Sequence, residues 1–155
     1  MNIYIGSDHG GFELKSQIVK YLREKYPKTN YNDNPYNIND MGCYENIRCD
    51  YPDIAKTVSE QVVSYPRTAF GILVCGTGIG ISIAANKVKG VRCALCNNIY
   101  SATMAKQHNN ANIIALGGRT VGRELAIEII NTFMDTPFFG GRHQERINKI
   151  SLLEN

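Results

Sequence analysis

Residues 69–80, AFGILVCGTGIG, decide the fold of this 155-residue chain. The first seven residues are apolar throughout, which predicts a strand at 69–75 that is buried on both faces. Three glycines at alternate positions follow, and a helix is predicted at 78–87. A strand buried on both faces is typical of a parallel sheet that is covered by helices.

Strands and helices alternate along the rest of the chain, which predicts a parallel sheet with helices on both faces. Residues 27–39 interrupt the alternation, because they are polar, Asn-rich and broken by proline, and we expect a surface insertion or long loop there. The predicted strands are 2–6, 36–40, 69–75, 91–96 and 112–117, and the predicted helices are 11–26, 51–65, 78–87, 98–109, 121–135 and about 142–153.

Length and composition predict one soluble domain spanning 1–155, since 43% of the residues are hydrophobic and 20% are charged. The net charge of +3 and the absence of a Lys/Arg block do not favour nucleic acid as a partner. No apolar run is long enough to span a membrane, so no membrane association is expected. The N-terminus does not resemble a signal peptide, and a cytoplasmic location is the default expectation.

The five cysteines are expected to be reduced thiols. Cys93 and Cys96 form a CxxC pattern inside the predicted strand 91–96, where residues three apart point to opposite faces. Adding Cys43 and Cys49 would give four zinc ligands, but no turn glycines support such a site, and it is disfavoured.

The glycine loop matches neither of the common phosphate-binding motifs. A Walker A loop needs a lysine directly after its last glycine, and no lysine follows this loop until Lys87. A dinucleotide fingerprint needs a third glycine at position 81, which is Ile81. The sequence therefore disfavours an enzyme that binds NAD or ATP.

The loop can instead stabilise an anion that forms during a reaction. Glycines let a ligand approach backbone N–H groups, and the helix that follows presents its positive end. Cys75 would lie beside that end, where a thiol gains thiolate character and can act as a base. The alternative is that Cys75 is simply a small apolar residue at the end of a buried strand.

Other polar residues flank the predicted strands. Asp8 and His9 follow the first strand and suit acid–base chemistry or sugar hydroxyls, although Asp8 could equally cap a helix. His108 and Asn109 end the helix before the last strand. The helix dipole alone would also favour a histidine at this position.

Three arginines are candidates for binding phosphate. Arg142 and Arg146 are four residues apart on one helix face, with His143 beside them, although a solvated basic face would look the same. Arg119 follows two glycines at the end of the last strand. Together with Cys75, these residues suggest a metal-free site for proton transfer on a phosphosugar.

The sequence resembles the ribose-5-phosphate isomerase B family, within the wider group that contains galactose-6-phosphate isomerase subunits. The resemblance covers nearly the whole chain and is highly specific in combination. Its carriers are SDHGGFELK (7–15), DYPDIA (50–55), CGTGIGISIAANK (75–87), YSATMAKQHNNANI (100–113) and GGRHQERI (140–147).

The resemblance implies a three-layer α/β/α sandwich with a Rossmann-like five-stranded parallel sheet of order 2-1-3-5-4 and an extra C-terminal helix. It implies interconversion of ribose 5-phosphate and ribulose 5-phosphate without metal or organic cofactor. The expected assembly is a homodimer, with a tetramer as the alternative, and active sites at the subunit interface. The sequence does not predict which subunit supplies each residue of a site.

The resemblance also implies residue roles. Cys75 matches the base that moves a proton between C1 and C2, and His108 matches the residue that opens the furanose ring. Relatives that lack the cysteine use a Glu further along the loop, where this chain has Ile79. The matched substrate-binding residues are Asp8, His9, Tyr51, Gly76, Thr77, Gly78, Ile79, Gly80, Asn109, Arg119, Arg142, His143 and Arg146, of which the loop 76–80 stabilises the enediolate and the arginines bind phosphate.

One segment departs from the resemblance. Residues 27–49 are longer than the usual loop of the family and add Cys43 and Cys49.

Two other functions stay open beside the ribose-5-phosphate isomerase. A 6-phosphohexose isomerase is the near alternative, and a non-catalytic module that binds phosphate or nucleotide is the alternative from a different class.

Overall fold

A computed structural model describes residues 1–27 and 35–154, which form five parallel strands and six helices. Strands and helices alternate along the chain until two consecutive helices at the C-terminal end. The sheet order is β2-β1-β3-β5-β4, so the predicted α/β/α fold, strand order and C-terminal helix are confirmed. Part of the predicted loop 27–39, at 28–34, lies outside the described residues. The elements are β1 (Asn2–Ser7), α1 (Phe12–Lys25), β2 (Asn37–Asp40), α2 (Tyr51–Ser64), β3 (Ala69–Cys75), α3 (Ile79–Ala85), β4 (Cys93–Leu95), α4 (Ile99–Asn109), β5 (Ile113–Gly117), α5 (Arg123–Asp135) and α6 (Arg142–Ser151).

The sheet separates two hydrophobic cores. Helices α1, α4 and α5 bury apolar side chains on one face, and α2 and α3 do so on the other. Strand β3 supplies both cores, with Ile72 and Val74 in the first and Leu73 and Cys75 in the second. This position explains why the strand that was predicted first is apolar at every residue.

Strand β4 is shorter than the predicted strand 91–96, because the first two residues of that segment bond elsewhere. The N–H of Val91 donates to the carbonyl of Val88 at 3.1 Å, which closes a turn. The N–H of Arg92 donates to the side chain of Asn112 at 2.8 Å. An apolar pattern reports burial, and it cannot show which backbone groups join the sheet.

The connections place a crevice at the centre of the sheet. From β1 the chain moves outward to β2 and then crosses to the other side of β1, where it forms β3. Ligands of open parallel sheets bind at such a switch point, beyond the carboxyl ends of the strands. The loops after Ser7 and Cys75 flank this crevice, since β1 and β3 pair up to Ser7 and Val74.

A buried ion pair ties α1 to the end of β2. Lys15 Nζ donates to both carboxylate oxygens of Asp40, at 2.9 and 2.8 Å, and the lysine side chain is only 2% exposed. The same carboxylate accepts the N–H of Gly42 at 3.1 Å. The pair therefore fixes the start of the loop at 41–50, which leads to Tyr51.

We expect Lys15→Ala to lower the free energy of unfolding by about 2–4 kcal/mol, because it leaves the carboxylate of Asp40 without its counter-charge. Urea unfolding would measure the change. Lys20→Ala is the matched control in the same helix, since Lys20 makes only an exposed 4.0 Å pair with Glu24. It should change stability by less than about 0.5 kcal/mol. Equal effects of the two substitutions would contradict this view of the buried pair.

Candidate active site

The thiol of Cys75 lies buried at the carboxyl end of the central strand, with 4% of the residue exposed. Its Sγ accepts the N–H of Gly78 at 3.1 Å. Gly78 has φ +77°, and a Cβ there would lie 2.5 Å from Leu95 Cδ1 and 2.9 Å from the carbonyl carbon of Leu116. Only glycine fits this turn, and the turn aims a backbone donor at the sulfur. Such a donor stabilises negative charge on the sulfur.

Two N–H groups of the glycine loop are thus already engaged inside the loop. Gly78 donates to Cys75, and the N–H of Ile79 donates to the hydroxyl of Thr77 at 3.3 Å. The resemblance predicts that the whole stretch 76–80 stabilises the anion. The hydrogen bonds narrow the direct donors to the N–H groups of Gly76, Thr77 and Gly80.

The loop after β5 brings a cation to the same place. Backbone N–H groups of Gly118 and Arg119 donate to the carbonyls of Cys75 and Gly76, at 2.8 and 3.0 Å. The side chain of Arg119 lies beside Gly76, since a Cβ on that glycine would be 3.7 Å from the Arg119 Cζ. Arg119 is therefore the arginine that the structure places near the thiol.

The loop after β1 forms the other wall of the crevice. Asp8 is buried and its Oδ1 accepts the N–H of Gly11 at 3.0 Å, so this carboxylate orders the turn before α1. The turn packs directly on the glycine loop, because a Cβ on Gly10 would lie 3.1 Å from the backbone nitrogen of Gly76. Asp8 thus combines the helix-entry role with a position in the crevice.

Two further predicted residues line this region. His9 is exposed, and its Nδ1 lies 3.3 Å from the carbonyl oxygen of Cys49. The ring of Tyr51 lies against the glycine loop, since a Cβ on Gly80 would come within 2.7 Å of the Tyr51 Cζ. The carboxyl edge therefore brings together Asp8, His9, Tyr51, Cys75, the loop 76–80 and Arg119.

The other four cysteines are free thiols in this structure. Burial, with the adjacent Cys43 thiol, raises the pKa of Cys49 to about 11. Burial also raises the pKa of Cys96 to about 11 and that of Cys93 higher still. Cys93 is partly buried and packs against the core on the α3 side, whereas Cys96 belongs to the core on the opposite face, as the alternation of strand residues predicted.

The remaining predicted residues form a second cluster, which we call the histidine–arginine cluster: His108, Asn109, Arg142, His143 and Arg146. The rings of His108 and His143 stack at 4.2 Å between centroids, with 5° between their planes. Burial lowers the pKa of His143, and His108 and the two arginines lower it further. A neutral His143 can stack on its neighbour without a like-charge penalty.

This cluster lies beside the amino ends of the strands, whereas Cys75 lies at their carboxyl ends. Helix α4 ends at Asn109, and its last residues contact Arg92, which stands before the amino end of β4. Cys75 instead pairs with Gly117, the last residue of β5. The five residues of β5 alone separate the two edges by roughly 13 Å, given a rise of about 3.3 Å per residue. Within one chain, the structure does not bring His108 to the thiol.

Between 1–27 and 35–154, no helix is both long enough and apolar enough to cross a membrane. The same ranges contain no group of three or more His, Cys, Asp or Glu side chains placed to hold a metal ion.

The Cys75 thiol is buried, has a backbone donor and lies at the switch point of a parallel sheet. This arrangement is typical of α/β enzymes that bind and convert a small substrate at the strand ends. Comparison with known proteins specifies the class further. The family model described as Ribose/Galactose Isomerase matches residues 3–150. The chain belongs to this family, and it is an isomerase.

Individual relatives agree over nearly their whole length. Ribose-5-phosphate isomerase B of Escherichia coli is 41% identical over 152 residues, which cover 98% of this chain and 95% of the relative. The structure of ribose-5-phosphate isomerase B from Clostridium thermocellum is 47% identical, with a TM-score of 0.90 and coverage of 99% and 97%. The Mycoplasma genitalium enzyme with bound ribulose 5-phosphate is 42% identical, with a TM-score of 0.88 and coverage of 99% and 95%.

Proposed function

We propose that this isomerase interconverts D-ribose 5-phosphate and D-ribulose 5-phosphate, a step of pentose phosphate metabolism, by ring opening and a cis-enediolate intermediate. The observation that carries the proposal is the Cys75 thiol with the Gly78 N–H on its sulfur, at the switch point of the sheet. The names of its relatives support the choice of substrate.

The proton transfer uses Cys75 as the base. The thiolate removes the proton from C2 of the open-chain aldose, and the electron pair of that C–H bond forms the C1=C2 double bond of the enediolate. Negative charge then rests on O1. The proton of the O2 hydroxyl then passes to O1, and the O2 electron pair forms the C2=O double bond of the ketose. The electron pair of the C1=C2 bond takes the proton of the thiol at C1, which restores the thiolate.

The glycine loop stabilises the enediolate. The N–H groups of Gly76, Thr77 and Gly80 supply donors. The resemblance assigned Arg119 to the phosphate, but its side chain lies beside Gly76, so its proposed role here is to add a positive charge at the enediolate. Asp8 and His9, at the other wall of the crevice, bind sugar hydroxyls, and Tyr51 closes the crevice over Gly80. Each of these groups acts on the reacting end of the sugar.

The histidine–arginine cluster completes the site from a second copy of the chain. His108 opens the furanose ring with Asn109 beside it, and Arg142, His143 and Arg146 bind the phosphate. Within one chain these groups lie roughly 13 Å or more from the edge that holds Cys75, so one copy does not assemble them with the thiol. A symmetric dimer would form two such shared sites.

An exposed apolar surface near the crevice suits this assembly. Ile79 and Ile83 are four residues apart on α3 and are 52% and 57% exposed. At the start of α4, Ile99 and Tyr100 are 40% and 73% exposed. Large apolar side chains exposed on a surface favour contact with a partner, and a second copy is the partner that the divided site requires.

The two alternative functions have less support. A 6-phosphohexose isomerase is not favoured, because the similar proteins described above are ribose-5-phosphate isomerases. A non-catalytic phosphate module is disfavoured by the engaged thiol, since neither phosphate-loop motif needs a cysteine beside its glycines.

The function is tested by incubating the protein with ribose 5-phosphate in deuterated water containing a chelator, and following the sugars by NMR. We expect ribulose 5-phosphate, with deuterium at its C1 and later at C2 of the recovered aldose. A protein that forms no ketose and exchanges no proton would contradict the proposal. A hexose 6-phosphate turned over in preference to the pentose would move it to the alternative substrate.

We expect Arg142→Ala to raise KM for ribose 5-phosphate by about 10–100-fold and to change kcat little. A charged hydrogen bond to phosphate acts equally in the ground and transition states, and its loss costs about 1.5–3 kcal/mol. Steady-state kinetics measure both constants. Arg123→Ala is the matched control, because Arg123 pairs with Glu124 on α5 and is equally charged. An Arg142 variant with unchanged KM would remove this arginine from the phosphate site.

A further inference from the structure

Arg92 joins the edge strand of the sheet to the end of helix α4. Its Nε donates to the carbonyls of Asn109 and Asn110 at 3.0 and 3.1 Å, and its Nη2 donates to Asn110 at 2.9 Å. Its backbone N–H donates to the side chain of Asn112 at 2.8 Å. The side chain is therefore held between the start of β4 and the residues that lead into β5.

These bonds fix the point where α4 ends. The last carbonyls of a helix have no partners inside the helix, and a planar guanidinium can bind two of them at once. Asn110 follows in the left-handed region, with φ 43°, so the backbone turns sharply at the carbonyls that Arg92 holds. A lysine could supply the charge, but it could not supply the same fork of donors.

His108 lies directly before these carbonyls. Its ring stacks on His143, and the neighbouring Gln107 carbonyl accepts the N–H of Phe139 at 3.1 Å. The stack and this bond both come from the segment 139–143, which reaches α4 from outside. The hydrogen bonds of Arg92 connect the same end of α4 to the sheet.

We propose that Arg92 is a positioning residue for His108 and Asn109 in the ring-opening step, acting through the backbone carbonyls at the end of α4. This proposal rests on the proposed function. A displacement of about 1 Å in a reacting group can lower a rate by about 100-fold, so a loosened helix end should impair the step that His108 performs. Proton transfer by Cys75, at the other edge of the sheet, should be far less sensitive.

A pair of substrates separates the two steps. Ribose 5-phosphate closes to a furanose through its C4 hydroxyl, and the ring must open before C2 is deprotonated. The 4-deoxy analogue has no C4 hydroxyl, so it cannot form this ring, and it keeps the phosphate and both carbons that react. The ratio of kcat/KM for the two substrates therefore reports ring opening, and a general loss of folded protein cancels from it.

The variants are Arg92→Met and, to retain a cation without the fork, Arg92→Lys. We expect Arg92→Met to lower kcat/KM for ribose 5-phosphate by about 10–100-fold and for the 4-deoxy analogue by less than about 3-fold. Arg92→Lys should also lower kcat/KM more for ribose 5-phosphate than for the analogue, but by a smaller factor. Lys106→Met is the matched control, because Lys106 lies on the same helix and donates at 3.4 Å to Ala111, beyond the carbonyls that Arg92 holds. Lys106→Met should lower kcat/KM for the two substrates by the same factor.

Each outcome decides a particular claim. Equal losses on the two substrates in both Arg92 variants, or a ratio no different from that of Lys106→Met, would overturn the positioning role. If Arg92→Met does not fold, the ratio for Arg92→Lys decides alone. His108→Ala is measured in parallel: if it is selective and the Arg92 variants are not, only this inference is wrong. If His108→Ala is not selective either, the proposed ring-opening step is wrong and the inference falls with it.

Discussion

Cys75→Ala is expected to lower kcat/KM for ribose 5-phosphate by about 10³–10⁴-fold, because it removes the base that takes the proton from C2. Exchange of that proton with deuterated solvent should stop as well. The Kd for ribose 5-phosphate should stay within about 3-fold of the wild-type value, since the groups that bind the phosphate remain and ground-state binding does not need the base. NMR exchange and calorimetric titration would measure the two properties separately.

Two comparisons separate chemistry from structure in this experiment. Cys75→Ser keeps an acceptor for the Gly78 N–H but replaces the thiol by a much weaker acid, so it should be as inactive as the alanine variant. Cys96→Ala makes the same chemical change in another buried cysteine, and its folded fraction should keep wild-type activity. A Cys75→Ala enzyme that retained a tenth of the activity would contradict the assignment of the base.

His108→Ala is expected to lower kcat/KM for ribose 5-phosphate by about 10²–10³-fold, because a general acid–base group for ring opening is lost. The 4-deoxy analogue, which needs no ring opening, should lose less than about 3-fold. Steady-state kinetics with both substrates give the ratio. Equal losses on both would show that His108 serves proton transfer or overall structure, and would contradict its assignment.

Much of the fold could be predicted from local pattern. The unbroken apolar run 69–75 indicated a central strand, and the alternation of elements indicated a parallel sheet. The length of β4 could not be predicted, because it depends on Asn112 accepting the N–H of Arg92 from twenty residues away. A hydrophobic pattern contains no information about such a partner.

The sequence predicts which candidate residues lie at the strand ends, and it does not predict how they contact one another. The thiol, the glycine loop and Asp8 all follow strands, so topology alone places them at one edge. The bond from Gly78 to the sulfur depends on a backbone turn that only the folded loop shows. The stack of His108 on His143 joins residues 35 positions apart, and the sequence gives no sign of it.

Arg92 was missed for a related reason. In the sequence it is one arginine in a buried-looking segment, and it belongs to no motif. Its role emerges only when the end of α4 is seen beside the start of β4. A charged residue inside an otherwise apolar run is the one signal that could have pointed to it, because a buried cation needs partners.

The central claim is that each active site combines Cys75 from one copy with His108 from another. The most direct test mixes Cys75→Ala and His108→Ala proteins in equal amounts, unfolds and refolds them together, and assays ribose 5-phosphate. Random pairing makes half of the dimers mixed, and each mixed dimer has one site with both residues intact, so activity should recover to about a quarter of the wild-type value. Activity that stays at the level of the separate variants would contradict a shared site.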